Sequence, residues 1–239
     1  MIGTLRAALR QGFRRGWAAA RENLFPALFI QALMALLVVG YYRRWPTTVL
    51  LDFLAGRKRA WGIAFSFLAS GIFGGILSEA CKIAFLQRGR WRRGNGEDLA
   101  FKFVLVGLCG ICSDTFYTGI ARLLGTEVTP AVILAKAAVD QFVYSFLFAV
   151  PFVALATHWK NSGYRAASLA DCRTVAFATG QVIPLLVTNW CFWWPVALLI
   201  YALPLPLQLP LFLLAVTIWG LLFVSVTARR APVPLGEAA

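Results

Sequence analysis

The 239-residue chain is 60% hydrophobic and only 14% charged, and its 23 Lys and Arg against 10 Asp and Glu give a formal net charge of +13. Its apolar residues gather into long runs, among them the uncharged Leu24–Tyr42, which excludes an ordinary water-soluble domain and predicts an integral membrane protein. The basic residues fall in short clusters at Arg6–Arg21, Arg43–Arg44, Arg57–Arg59, Arg88–Arg93 and Arg229–Arg230, each flanking an apolar run, so they read as topology signals and headgroup contacts rather than as a nucleic-acid surface.

Residues 1–23 form the first unit. Leu5, Leu9, Phe13 and Trp17 recur every fourth residue opposite Arg6, Arg10 and Arg14, the pattern of a basic amphipathic helix. A mitochondrial presequence shares that pattern, but no Ser precedes position 66, which favours an interfacial anchor. Residues 24–230 form the membrane domain, and residues 231–239 a flexible tail. Six runs are long enough to span: Leu24–Tyr42, Trp61–Leu86, Phe101–Leu124, Ala131–Thr157, Val187–Leu203 and Leu207–Thr227. The predicted fold is therefore an all-α polytopic transmembrane helix bundle of about six spans. Gly125–Pro130 and Pro204–Pro206 are short enough to make the third and fourth spans, and the fifth and sixth, antiparallel neighbours. Between them Arg165–Ile183 has the mixed polarity of an interfacial helix, and Trp45, Trp61, Trp91 and Trp159 flank spans as an aromatic belt does.

An inside N-terminus places the basic arm, Arg88–Arg93, Lys160–Arg173 and Arg229–Arg230 inside, with both uncharged or acidic hairpins outside. The segment holding Arg43, Arg44, Arg57, Lys58 and Arg59 then falls outside, against the rule. Ser70-Gly71-Ile72-Phe73-Gly74-Gly75 spaces small residues four apart, as close helix packing requires.

Ionisable groups within the spans mark the candidate site, because a charge at the bilayer centre costs roughly 2.5–3.5 kcal/mol on insertion scales. Folding the third and fourth spans about Glu127–Val128 puts Asp114 at the depth of Asp140 and Gln141, roughly 16–20 Å from the outer hairpin. Lys136 lies one turn before Asp140 and is expected to pair with it. Asp114, Lys136, Asp140 and Gln141 are thus the expected polar lining of a pathway, or alternatively a clasp between helices. Glu79 and Lys82 are expected to snorkel to the interface, and the single His158 to be interfacial rather than a metal ligand. Cys109-x-x-Cys112 has the spacing of membrane thiol oxidoreductases, yet no second cysteine pair exists in the loops to relay electrons, so two small apolar residues is the favoured reading. Neither a metal site nor a cofactor fingerprint nor a catalytic constellation is legible, and the five cysteines give no disulfide framework.

Three stretches resemble the Mpv/PMP family of small mitochondrial inner membrane and peroxisomal membrane proteins. Gly110-Ile111-Cys112-Ser113-Asp114-Thr115-Phe116-Tyr117 is similar to the family's Gly-Pro-x-x-His-x-Trp-Tyr, and Lys136-Ala137-Ala138-Val139-Asp140-Gln141 to its Lys-x-x-x-Asp-Gln. Asn189-Trp190-Cys191-Phe192-Trp193-Trp194-Pro195, followed by Leu203-Pro204 and Ile218-Trp219, is similar to its Asn-Trp-x-x-Trp-Pro, Val-Pro and Ile-Trp series. The likeness covers residues 107–230, with Asp114 where the family commonly has His. What the resemblance implies is a weakly selective channel for small solutes or ions in an organelle membrane, with Gly110, Tyr117, Asn189, Trp190, Trp194, Pro195 and Trp219 as motif positions.

The expected function is therefore a channel and not an enzyme, with the lipid bilayer and an unnamed small solute or ion as partners, no nucleic acid, and a homo-oligomer left open. A structural or assembly protein is the alternative, and a thiol oxidoreductase the third. Heavy Ala, Leu and Arg use points to a bacterial cytoplasmic membrane; the resemblance points to mitochondria or peroxisomes.

Overall fold

The computed structural model describes residues 2–22, 24–46 and 48–228, with side chains at all of these but residues 2, 3, 26, 85, 86 and 218–228. Among the described residues every regular element is helical. In chain order they are α1 (Ile2–Glu22), α2 (Leu24–Tyr42), α3 (Thr48–Trp61), α4 (Ile63–Ala84), α5 (Asn95–Leu124), α6 (Pro130–Asn161), a 3₁₀ stretch (Ala166–Arg173), α7 (Val175–Tyr201) and α8 (Leu205–Ala228). The tail 231–239 and Arg229–Arg230 lie outside the described residues.

Among the described residues four helices, α4 to α7, are long and apolar enough to cross a membrane, and α1 with α2, bent by 65°, adds a fifth where the pair counts as one broken span. The expectation of about six spans is corrected accordingly. The predicted interfacial helix Arg165–Ile183 divides at Thr174, whose side chain caps α7 by accepting from the Phe177 amide at 3.1 Å. Its second half becomes the first turns of α7, which therefore starts at Val175 and not Val187. Leu207–Thr227 falls on α8, of which Leu205–Thr217 is an apolar helix among the residues with described side chains.

The stretch between the first two expected spans is α3. Leu51, Leu54, Ala55 and Lys58 follow one helical stripe, and the first three are buried against α8 and α4. The chain reverses into α4 at Gly62, whose φ of +57° is open to glycine at little cost. Ile30 and Met34 of α2 and Leu51 and Leu54 of α3 pack with Leu203, Leu209 and Leu213, all almost fully buried, and close the end of the bundle where the two short hairpins lie.

Small residues set the closest approaches. α4 and α5 run antiparallel with partners whose numbers add to about 180, as in Ser66 with Asp114 and Lys82 with Asp98. Along this seam a Cβ on Gly75 would lie 2.8 Å from the Phe103 backbone, and one on Gly74 2.6 Å from Val106. The packing role expected for Ser70–Gly75 is thus visible atom by atom. An unforeseen second seam joins α1 to α7. Gly12, Gly16 and Ala19 are buried on α1, Thr188 Oγ1 donates to the Gly16 carbonyl at 3.2 Å, and a Cβ on Gly16 would meet the Pro184 carbonyl at 2.6 Å. Leu5, Leu9, Phe13 and Trp17 point away from it and stay exposed, as an interfacial stripe would. Gly16→Leu is expected to lift α1 off α7 at a cost of about 1–3 kcal/mol, read as a lower melting temperature in detergent and faster proteolysis after Arg15 or Arg21. An unchanged melt would show that α1 does not dock.

Three helices widen to i→i+5 hydrogen bonding, α4 over Gly71–Leu77 and Lys82–Leu86, α6 over Asp140–Ala149 and α7 over Ala178–Val182. The wide segments of α6 and α7 end just ahead of a proline, Pro151 and Pro184, whose ring crowds the carbonyl four residues back and opens the preceding turn. The wide segment of α6 carries the candidate site.

Candidate functional site

Asp140 opens the wide segment of α6 and is buried at 7% exposure. Tyr201 Oη donates to its Oδ2 at 2.7 Å, and Gln141 Nε2 donates to its Oδ1 at 3.1 Å. Gln141 is in turn held from α7: Asn189 Nδ2 donates to its Oε1 at 3.4 Å and Trp190 Nε1 to its carbonyl at 2.9 Å. Tyr117 of α5 sets its ring edge-on to Tyr201, 5.6 Å between centroids. The result is one polar chain, Asn189 to Gln141 to Asp140 to Tyr201, joining α6 to α7. No cation lies within ion-pair distance of Asp140 among the described residues.

This chain stands at the deep end of a partly open cavity of about 790 Å³ lined by α4 to α8. The mouth, at the end carrying the basic loops, is lined by Lys82, Asp98, Lys102, His158 and Lys160. Its far end is Tyr117, Asp140, Gln141 and Ile200, beyond which the buried Leu203, Leu209 and Leu213 fill the bundle. From Asp98 to Tyr117 the wall of α5 rises about 28 Å, most of a ~30 Å hydrocarbon core. The mouth is at the end that carries Arg88–Arg93 and Lys160–Arg173, the end expected inside from the positive-inside rule. Polar groups of the floor extend along α6 and α5 as Tyr144, Ser145 and Ser113.

Of the four residues expected to line a path, only Asp140 and Gln141 reach the cavity. Asp114 is turned away, where Lys58 of α3 ion-pairs with its Oδ1 and Ser66 of α4 donates to its Oδ2 at 2.7 Å. Its depth follows the hairpin, since Ser113 lies beside Tyr144, but its azimuth faces α3 and α4 while Asp140 faces α7. Lys136 does not pair with Asp140 either. It is buried at 3% exposure with no ion-pair partner among the described residues, and the Asp140 oxygens accept from Tyr201 and Gln141 instead.

A second ionic cluster sits at the mouth. Glu79 is fully buried rather than snorkelling: it ion-pairs with Lys82, and receives Lys102 Nζ at 2.7 Å and Asn95 Nδ2 at 2.8 Å. Lys82 also reaches Asp98 at 2.8 Å, and Asp98 takes Lys160 at 2.5 Å. The cluster ties α4, α5 and α6 together with every charge countered, the condition for burying ions. His158 Nε2 lies 3.4 Å from Asp171 and its ring 5.2 Å from Phe177; no group of three or more metal-ligating side chains occurs among the described residues. Cys109 is on the cavity wall and Cys112 is not, and both thiols are free.

The motif positions are mostly packing groups. Gly110 meets Ser66 and Ser70, Trp190 and Trp194 clasp Phe142 at 5.5 and 5.4 Å, and Pro195 lies inside α7. Pro195 withholds the amide that would bond the Cys191 carbonyl, and near this break Gln31 of α2 donates to the Phe192 carbonyl at 3.1 Å. Trp219 continues the backbone of α8, and its side chain lies outside the described residues. Sequence reasoning missed Lys58, Ser66, Tyr201 and Tyr144. Only Lys58 carried a signal, as the next position on the Leu51-Leu54-Ala55 stripe.

Comparison with protein-family models, with curated proteins and with solved structures finds no match.

Proposed function

We propose that this chain is a membrane conduit for small solutes or ions, entered from the inside and controlled at Asp140 and Gln141. The observation that carries the reading is the partly open cavity of about 790 Å³ whose deep end is a carboxyl group with neutral hydrogen-bond donors and no counter-charge. Intramembrane ionisable groups that face a cavity are the usual mark of a solute path. The likeness of residues 107–230 to the Mpv/PMP family points the same way. Composition favours a bacterial cytoplasmic membrane as the site, with the mitochondrial inner or peroxisomal membrane as the alternative.

The test is conductance of the purified chain in planar bilayers, comparing the native protein with Asp140→Asn and Asp114→Asn. A conductance altered by Asp140→Asn and untouched by Asp114→Asn supports a path past Asp140, since Asp114 lies off the cavity. Silence of a folded native chain at every voltage overturns the reading.

A structural or assembly role is the second reading, and one observation favours it. Both Asp114 and the Glu79 cluster are spent on holding helices, with their oxygens engaged by Lys58, Ser66, Lys82 and Lys102. On that reading Asp140→Asn lowers stability and no variant changes conductance.

A further inference from the structure

We infer that the cavity binds a single-chain anionic amphiphile, a long-chain carboxylate, with its head at the lysine-rich mouth and its chain in the slot between α5 and α6. This goes beyond the conduit reading, since occupancy of the slot requires no conduction.

The slot is bounded at both ends. At the inner end Lys160 bridges to Asp98 and lies over the Phe101 ring, 5.6 Å from its centroid; at the deep end Phe116 stacks on Tyr144 at 4.3 Å and Ser113 lies beside the Tyr144 hydroxyl. Between these crossings the cavity separates the two helices, with Leu105 and Cys109 on one wall, Phe148 and Phe152 on the other and Trp193 behind. Lys102 to Ser113 is a rise of about 16 Å, the reach of one acyl chain in a ~30 Å core of two leaflets.

The mouth fits an anionic head. Lys82, Lys102 and Lys160 meet Glu79, Asp98 and, at 4.0 Å from Lys160, Glu97, so the surplus positive charge at this end comes from the exposed Arg88, Arg90, Arg92 and Arg93 of the loop between α4 and α5. Thr157, on the same wall, has a buried hydroxyl with no partner and can donate to an anion.

A small polar anion fits less well, because the wall below the lysines is apolar and the floor is another carboxyl group, Asp140.

The experiment is binding of radiolabelled palmitate to the full-length chain in maltoside micelles, with octanoate and inorganic phosphate as competitors. One saturable palmitate site is expected, displaced far less well by octanoate or phosphate. Lys160→Glu is expected to weaken it about tenfold, and Leu105→Trp, which fills the slot and leaves the lysines in place, to weaken it similarly. Where Lys160→Glu fails to fold, Ala149→Trp on the opposite wall supplies the second reading. The inference is overturned if the folded native chain shows no saturable binding, if phosphate competes as well as palmitate, or if folded variants bind unchanged. Binding retained by a chain that never conducts would sink the conduit alone.

Discussion

Glu79→Ala is expected to cost the bundle about 3–5 kcal/mol, the penalty of leaving buried cations without their partner. Glu79 has no exposed surface and is approached by Lys82, Lys102 and Asn95, so its removal leaves three donors facing an apolar gap. Asp98 holds Lys82 and Lys160 but is partly exposed and does not reach Lys102. Lys102 is therefore the stranded charge. Glu79→Gln keeps the shape and an acceptor for Asn95, and its cost should fall between native and alanine. The check is a thermal melt in detergent followed by intrinsic fluorescence, with far-ultraviolet circular dichroism to report residual helix. A Glu79→Ala chain melting with the native protein would mean that these charges reach water.

Gly110→Leu is the second large effect, expected at or above the upper end of the about 1–3 kcal/mol usual for overpacking. Any Cβ at Gly110 collides with the Ser70 side chain and comes within 2.5 Å of the Ser66 carbonyl, which is backbone and cannot swing aside. α4 must then part from α5, and the Ser66 hydroxyl is pulled off Asp114. Loss of the monodisperse folded species on size exclusion is the expected readout. Gly119→Leu on the same helix meets nothing within 4 Å and serves as the matched control. Equal yields of the two variants would refute the α4–α5 seam.

The contrast between these positions shows what could be read before the fold was known. The bounds of α2, the end of α5 and the start of α6 follow from apolar runs and their punctuation, while α5 begins six residues before the expected Phe101 and α6 runs four beyond Thr157; the small-residue seam of α4 follows from spacing alone. Depth was legible for the same reason, since a helix rises by a constant step. Azimuth was not. Asp114 and Asp140 share a hairpin and a level, but which way each points depends on neighbours distant in sequence, Lys58 with Ser66 for one and Tyr201 for the other. The wide turns after Asp140 add to the error, because a 3.6-residue period misplaces every face within Asp140–Ala149. α3 escaped notice because Arg57, Lys58 and Arg59 read as a loop signal, while one of them is the counter-ion of a buried carboxylate. Tyr201 carried no signal at all: a tyrosine closing an apolar run is indistinguishable from an aromatic-belt residue until its hydroxyl is seen on Asp140.

Side-specific thiol labelling tests the inward-facing path most directly. With the five native cysteines replaced, Ala149→Cys and Ser145→Cys on the cavity wall and Leu147→Cys on the exposed outer face of α6 are reacted with a charged, membrane-impermeant reagent in vesicles of each orientation. Reaction of the first two from the inner side only, with Leu147→Cys inert in lipid, is the expected result. Reaction of Ser145→Cys from the outer side, or of neither wall position from either side, would contradict a water-filled cavity that leads from the inside to Asp140.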